Sequence, residues 1–517
     1  SALTFDARGR VVVSGPGYIR TLLDTDGNGM AETAVEFAPS ASGAQGLCFD
    51  GPNLFCVGDG ALQMYSDLNG DGVADGPPQR LLPLDTGGHG ACSIRKGPDG
   101  WLYVITGNEV NFGPEHLSLG VSPIRAIEGG AMLRLRPDGR GAECIAHGFR
   151  NPRDFDFNWL GDLFTVDGDA PADLCLPWYV PARLFQVGYA AHHGWRFRGL
   201  LKSWPRPGYS PDTVSFLAAV GQAMPSGAVC YRHFQFPVPF RNGLFFCDWS
   251  SGRVYFTPLA PADSRYHAAP EVFLEPIGLS GFAPVDLVVA PDGDLLVAVG
   301  GGRTRGAIYR IDFPPGRQEV ATHDWLKLVA LQILPVLNAP QPLDAWSRAA
   351  WMEVAQNLGP EPFAQVVGDN RHPPSARVRA IEILTELFDG MAPGVAGAGA
   401  QSPVPVVRAR TAWSIGRALP PNAPQLLLSL AQDPAPAVRR CALEAMADHV
   451  PQMDLNSLQQ ALAANLGHPD RPVRQCAARL ASLLPEPAWR ALWAQQAKAP
   501  APARLTATLA LLDRNPA

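Results

Sequence analysis

The chain lacks any apolar run near the ~18 residues that a membrane-crossing helix needs, so no transmembrane segment is expected. It has no CxxCH for covalent haem and no CxxC for zinc or thiol exchange. No nucleotide-binding glycine loop, nucleophile elbow or HExxH helix is present, which sets aside the enzyme classes built on those motifs. Excess positive charge is missing as well. The formal charge of -6 offers no general attraction to nucleic acid or anionic membranes, and no nucleic-acid partner is expected. The opening SALTFDARG has neither a methionine nor the basic and apolar segments of a signal peptide, as after removal of a leader or truncation for expression.

What the chain has in quantity is glycine and proline, 52 and 51 of 517 residues, which suits many short strands joined by tight turns. A unit of strand, Asp/Asn-Gly turn and strand recurs six times in the first 313 residues. It reads LTFDARGRVVVSG, GLCFDGPNLFCVG, ACSIRKGPDGWLYVITG, PRDFDFNWLGDLFTVDG, and then two looser copies from Gly227 and Val285. A small sheet cannot bury both faces alone, whereas a closed ring of sheets can, so the expected fold is an all-β six-bladed propeller over 1–313. After a linker at 314–322, helical periodicity takes over. Val378, Val407, Val438 and Val473, each followed by arginine, recur every 29 to 35 residues and predict an all-α HEAT-like solenoid over 323–517. Those arginines are read as pairing with neighbouring repeats and solvating one face. The solenoid itself offers a surface for a protein partner. Nine cysteines leave two readings open: disulfides at Cys48–Cys56 or Cys230–Cys247, or free buried thiols.

Two acidic loops, DTDGNGMAE and DLNGDGVAD, place oxygen donors at positions 1, 3, 5 and 9 with glycine at 6, a spacing that wraps Ca²⁺. The candidate ligands are Asp24, Asp26, Asn28 and Glu32, then Asp67, Asn69, Asp71 and Asp75. Calcium there would staple connections between strands and suits a periplasmic or secreted protein. In a propeller, the loops entering each innermost strand and those joining its second and third strands surround one mouth of the channel. His89, between glycines before the third blade, belongs there, as do Arg150 and Asn151 at the entry to the fourth. The second loop set supplies Asn108, Glu109, Asp167, Asp169, Arg303 and Arg305, and an insertion adds His192 and His193 as a rim. A histidine, an arginine and carboxylates around one concavity can bind a polar ligand and move a proton.

With His89, GPDGWLY and GFRNP in place, the first 313 residues resemble the quinoprotein glucose and sorbosone dehydrogenases and related aldose-sugar dehydrogenases. The DxDGNG loops and helical tail are also similar to large planctomycete and verrucomicrobial proteins named as membrane-bound dehydrogenases. The resemblance implies a pyrroloquinoline quinone cofactor and a sugar or polyol substrate, with electrons passed to a cytochrome c or other separate acceptor. It implies His89 as the general base. Arg150, with Asn151, would meet the quinone carboxylates, and the Asp167–Asp169 loop would lie near the cofactor's calcium. Asn108, Glu109, His192 and His193 would then contact substrate. Where the class has an arginine-rich entry to the last blade, this chain has SGFAPVD, and Arg303 or Arg305 would substitute. The expectation is a quinone-dependent oxidoreductase. The alternatives are a non-catalytic carbohydrate- or protein-binding scaffold, or a cofactor-free lyase, epimerase or hydrolase.

Overall fold

A computed structural model describes residues 2–120, 122–196, 213–278, 281–301, 306–313 and 332–514. Arg303, Arg305, the 314–322 linker and the first residues of the helical region lie outside them. Six antiparallel sheets form over residues 3–38, 46–83, 91–149, 152–221, 225–274 and 284–311, the blades one to six. Each turn between first and second strands is closed locally. In KGPDGW, Gly97 N–H donates to Trp101 O at 2.8 Å and Trp101 N–H to Asp99 Oδ1 at 3.2 Å. Blade three gains a fifth, parallel strand, Ala191–His192, contributed by the insertion between the third and fourth strands of blade four. Blade six has three strands among the described residues.

The first strand of every blade lies innermost: Leu3–Phe5, Gly46–Asp50, Ala91–Lys96, Pro152–Phe157, Pro225–Cys230 and Pro284–Val289, each beside the next around the ring. Carboxylates on these strands join neighbouring blades. Asp154 accepts from Ala228 N–H at 2.8 Å and Asp156 from Cys230 N–H at 2.7 Å. Asp286 accepts from Leu3 N–H at 2.7 Å and so closes the ring between blades six and one. Apolar clusters between the sheets supply the bulk of the burial.

All nine cysteines are free. The two candidate disulfides do not form because side chains alternate between the faces of a sheet. Cys56 packs into the cluster of Phe37 and Phe49, while Cys48 packs against that of Phe55 and Leu82. Cys230 faces Phe164 and Phe246, whereas Cys247 faces Tyr231 and Phe245.

The helices form antiparallel pairs from Glu361–Gly368 with Pro374–Leu387 to Glu486–Gln496 with Ala501–Arg514, and the second members stack side by side. Val378, Val407, Val438 and Val473 are fully buried between them. Arg408 forms a bidentate pair with Asp433 of the next repeat at 2.6 and 2.8 Å, and Arg439 reaches Asn465 at 3.0 Å. Arg408, Arg439 and Arg474 also donate to backbone carbonyls of their own repeats, at Ser402, Gln432 and Pro469, satisfying acceptors left at helix ends.

The solenoid lies on the propeller face that carries the turns between first and second strands. Arg440 spans to Asp162 at 2.8 Å, Arg479 to Tyr189 O at 3.1 Å, and Ser264 bonds Asp470 at 2.7 Å. Arg134 of blade three ion-pairs with Asp448 at 3.5 Å. At the centre of this face Leu343, Asp344 and Ala345, entering the helix Ala345–Leu358, form the floor of the central channel.

Candidate functional site

The channel is a cavity of about 330 Å³, open toward the face opposite the solenoid and lined there by Gln45, Cys92, Arg153, Met224, Ser226 and Trp249. His89 lies beside the channel-lining Cys92 and Arg153, held by backbone that only glycine readily adopts: Gly87 and Gly88 have φ of 86° and 47°. On the other side, a Cβ on Gly107 would lie 2.4 Å from His89 O, so a larger residue would push the histidine loop away. The loop is further tied by Glu109, whose carboxylate accepts His89 N–H at 3.1 Å and whose own N–H donates to His89 O at 3.1 Å.

The imidazole Nδ1 lies 2.7 Å from Asn108 Oδ1. An amide oxygen only accepts, so Nδ1 carries the proton and Nε2 presents its lone pair, unpaired among the described residues. Burial, with the nearby Arg150 charge, lowers the His89 pKa from its ordinary value against the opposing effect of the Asn108 bond. The result is a neutral, oriented imidazole with one free acceptor nitrogen.

Asn108 N–H donates to Arg150 O at 2.9 Å, which couples the histidine loop directly to blade four. Arg150 is only 7% exposed, its guanidinium lies 5.5 Å over the Trp195 ring, and it makes no side-chain hydrogen bond or ion pair with any described residue. The Trp195 ring face and the nearby Asp167 and Asp169 charges offset part of the cost of burying this cation, and the neighbouring Asn151 Oδ1 is buried without a hydrogen-bond partner among the described residues. The carboxylates around it are engaged. Asp167 accepts the backbone N–H groups of Arg150 and Asn151 at 2.7 to 3.1 Å and pairs with Arg183 at 3.3 Å. Asp169 accepts from Tyr179 OH at 2.8 Å, and burial raises its pKa. Asp248 accepts from Met224 N–H and from Ser250.

The structure therefore gathers His89, Asn108, Glu109, Arg150, Asn151, Asp167 and Asp169 into one cluster, which borders the channel through Arg153 while none of the seven lines the cavity itself. Asn108 is fully buried and faces His89, so its setting is that of an orienting group more than a substrate contact. His192 and His193 are not a rim. His192 pairs with Glu128 at 3.0 Å and packs on His147, while His193 stacks on Phe149 at 4.2 Å, 1% exposed, its pKa pushed down to about 3 by burial. Tyr179 was not anticipated; its place beside Asp169 follows from a loop with no recurring pattern.

Deeper in the channel Arg95 pairs with Asp154 at 2.7 Å, and burial pushes Asp286 and Asp344 up to about 7. Both acidic loops lie on the solenoid face, far from His89. In the first, oxygens of Asp24, Asp26 and Glu32 come within 4.8 Å of one another, close enough to share one ion; Asn28 turns its amide onto Asp26. The second does not gather three carboxylates in that way. Asp67 accepts from Gly72 N–H and lies 3.9 Å from Arg10, Asn69 bonds Asp71, and Asp75 accepts from Leu68 N–H.

Among solved structures, the provisionally named oxidoreductase (glucose dehydrogenase) of Thermus thermophilus is 22% identical, with a TM-score of 0.44 over 60% of this chain and 95% of that one. The PQQ-bound aldose sugar dehydrogenase of Streptomyces coelicolor is 19% identical, with a TM-score of 0.41 over 60% and 93%. The PQQ domain of pyranose dehydrogenase from Coprinopsis cinerea is 10% identical, with a TM-score of 0.42 over 60% and 92%. No curated protein matches the sequence. Residues 395–483 match the HEAT repeats profile. Residues 6–298, more than half of the chain and nearly the whole propeller, match the profile described as "Domain of unknown function (DUF7133)", and the chain belongs to that family.

Proposed function

We propose that the mouth is the active site of an oxidoreductase that oxidises a hydroxyl of a sugar or polyol with a quinone of the pyrroloquinoline type. The observation that carries this reading is an oriented histidine, its Nε2 without a hydrogen bond to a described residue, next to Arg150, a largely buried cation with no ion pair to a described carboxylate. Arg150, whose guanidinium has no hydrogen bond or ion pair with a described residue, would suit the carboxylate edge of such a quinone, and Asn151 beside it would shape the same wall. Such a quinone, when bound, would supply the two-electron acceptor for the hydride leaving carbon. His89 Nε2 takes the hydroxyl proton, and Asn108 holds the ring so that this nitrogen faces the substrate. Glu109 fixes the histidine loop, and Tyr179 keeps Asp169 turned along the wall. Turnover would need a separate electron acceptor, such as a cytochrome c.

Calcium at Asp24, Asp26 and Glu32 would brace blade one on the opposite face, remote from the chemistry, and would suit a periplasmic or secreted setting. A binding-only site is the second reading, favoured by Asp167 and Asp248, whose bonds leave neither acid free beside His89. Equilibrium dialysis with pyrroloquinoline quinone, followed by turnover with a polyol panel, separates the two. Quinone retention lost in Arg150→Met, with turnover lost and retention kept in His89→Gln, supports the redox site. Polyol binding without quinone retention supports the second reading.

A further inference from the structure

The mouth is two-sided. On blades one to three its loops are polar and tied to one another: Asp59 accepts from Ser42 N–H at 2.8 Å, and Asp85 accepts from Asn111 N–H at 2.7 Å. On blades four to six the loops of the same face expose large apolar side chains. Leu174, Leu176 and Trp178 are 41%, 41% and 42% exposed, Met224 is 44% and Ile277 is 98%. Single exposed apolar residues are ordinary, but a group of them on the loops of one face, with Met224 reaching the channel wall, marks a contact surface.

This rim is built to hold its shape. Ala170 N–H donates to Val180 O at 3.0 Å, Leu176 N–H to Asp173 O at 2.9 Å and Tyr179 N–H to Leu176 O at 3.0 Å. Cys175, between the two leucines, has a left-handed φ of 69°, a conformation that non-glycine residues adopt only where surrounding contacts impose it. The rim is also continuous with the polar floor. Tyr179 follows Trp178 and bonds Asp169, and Met224, bonded to Asp248, lines the channel with Trp249.

We propose that the substrate is a glycoside or polyol bearing an apolar or aromatic substituent, with the hydroxyl part over His89 and the substituent on Leu174, Leu176, Trp178 and Met224. This assignment rests on the reading of the mouth as a polyol site. A free sugar satisfies the floor and leaves the rim wet; an aryl or alkyl glycoside covers both.

The test is calorimetric titration of the full chain with matched methyl and phenyl pyranosides of glucose, galactose and xylose. The phenyl member of the bound pair is expected to be at least about tenfold tighter, as burial of an aromatic ring implies. In Leu176→Ser/Trp178→Ala that affinity ratio is expected to fall toward one, a readout internal to each protein and independent of any general loss of folded material. Equal affinities in the wild type, or an unchanged ratio in the variant, overturn the proposal while leaving the polyol site standing. If no pyranoside of either kind binds, the polyol reading itself fails and this assignment falls with it.

Discussion

At the residue scale the proposed base is His89, and its lowered pKa has a directional consequence for the proposed activity. The free base persists as pH falls through the ordinary histidine value, so the acid limb of kcat/KM should lie below pH ~6.5. The Asn108 bond raises the pKa, so Asn108→Ala should move that limb to still lower pH while reducing kcat; a pH–rate profile of both proteins checks this. His193 predicts an effect on stability instead. Its folded pKa is about 3, below the unfolded value near 6.5, so between those values the unfolded chain binds the extra proton. Stability should therefore fall as pH drops from about 6.5 toward 3, by up to ~1.4 kcal/mol per unit from this group. His193→Phe, a ring already flanked by Phe149 and Phe185, should flatten that slope in urea melts at pH 7 and pH 5. The sequence made His89 and Arg150 legible because blade-entry position follows from the repeat. It did not reveal that Asn108 orients His89 or that His193 is core, since both depend on how neighbouring blades meet.

At the scale of elements, the turn repeats and the 29-to-35-residue helical period were readable because each is a local pattern imposed by one sheet or one helix pair. Partners across the sequence were not. The two calcium-type loops look alike in spacing, yet the first gathers three carboxylates while the second has an arginine, Arg10, beside its leading aspartate. The loops should therefore behave differently. Calcium is expected to raise the melting temperature, an excess of chelator to reverse the rise, and Asp24→Ala/Asp26→Ala to abolish the response. Asp71→Ala should leave most of it. Calorimetric scans with and without chelator, together with elemental analysis, check the ordering. The cysteine pairs taught the same lesson: Cys48–Cys56 and Cys230–Cys247 are close in sequence, but alternation along a strand sends each pair to opposite faces.

At the scale of the whole molecule, the propeller and solenoid are joined by charged contacts that no periodicity announces. Arg440 bridges Asp162 of blade four and Glu444 of its own helix at 2.8 and 3.1 Å, with a side chain only 10% exposed. Arg440→Met should cost about 3 kcal/mol by stranding those acids, seen as a lower melting temperature and as faster proteolysis between the two regions. Under the proposed function, the same variant should leave quinone retention at the distant mouth nearly unchanged. The floor laid by Leu343, Asp344 and Ala345 bears on traffic. A channel floored at one end is entered from the other, so under the proposed function whatever sits deepest arrives first and departs last, and spent substrate must leave before its successor enters. Such a vestibule imposes an order of entry on its visitors: the outer occupant should slow the escape of the inner one, and exit, not encounter, should set the pace when both are abundant.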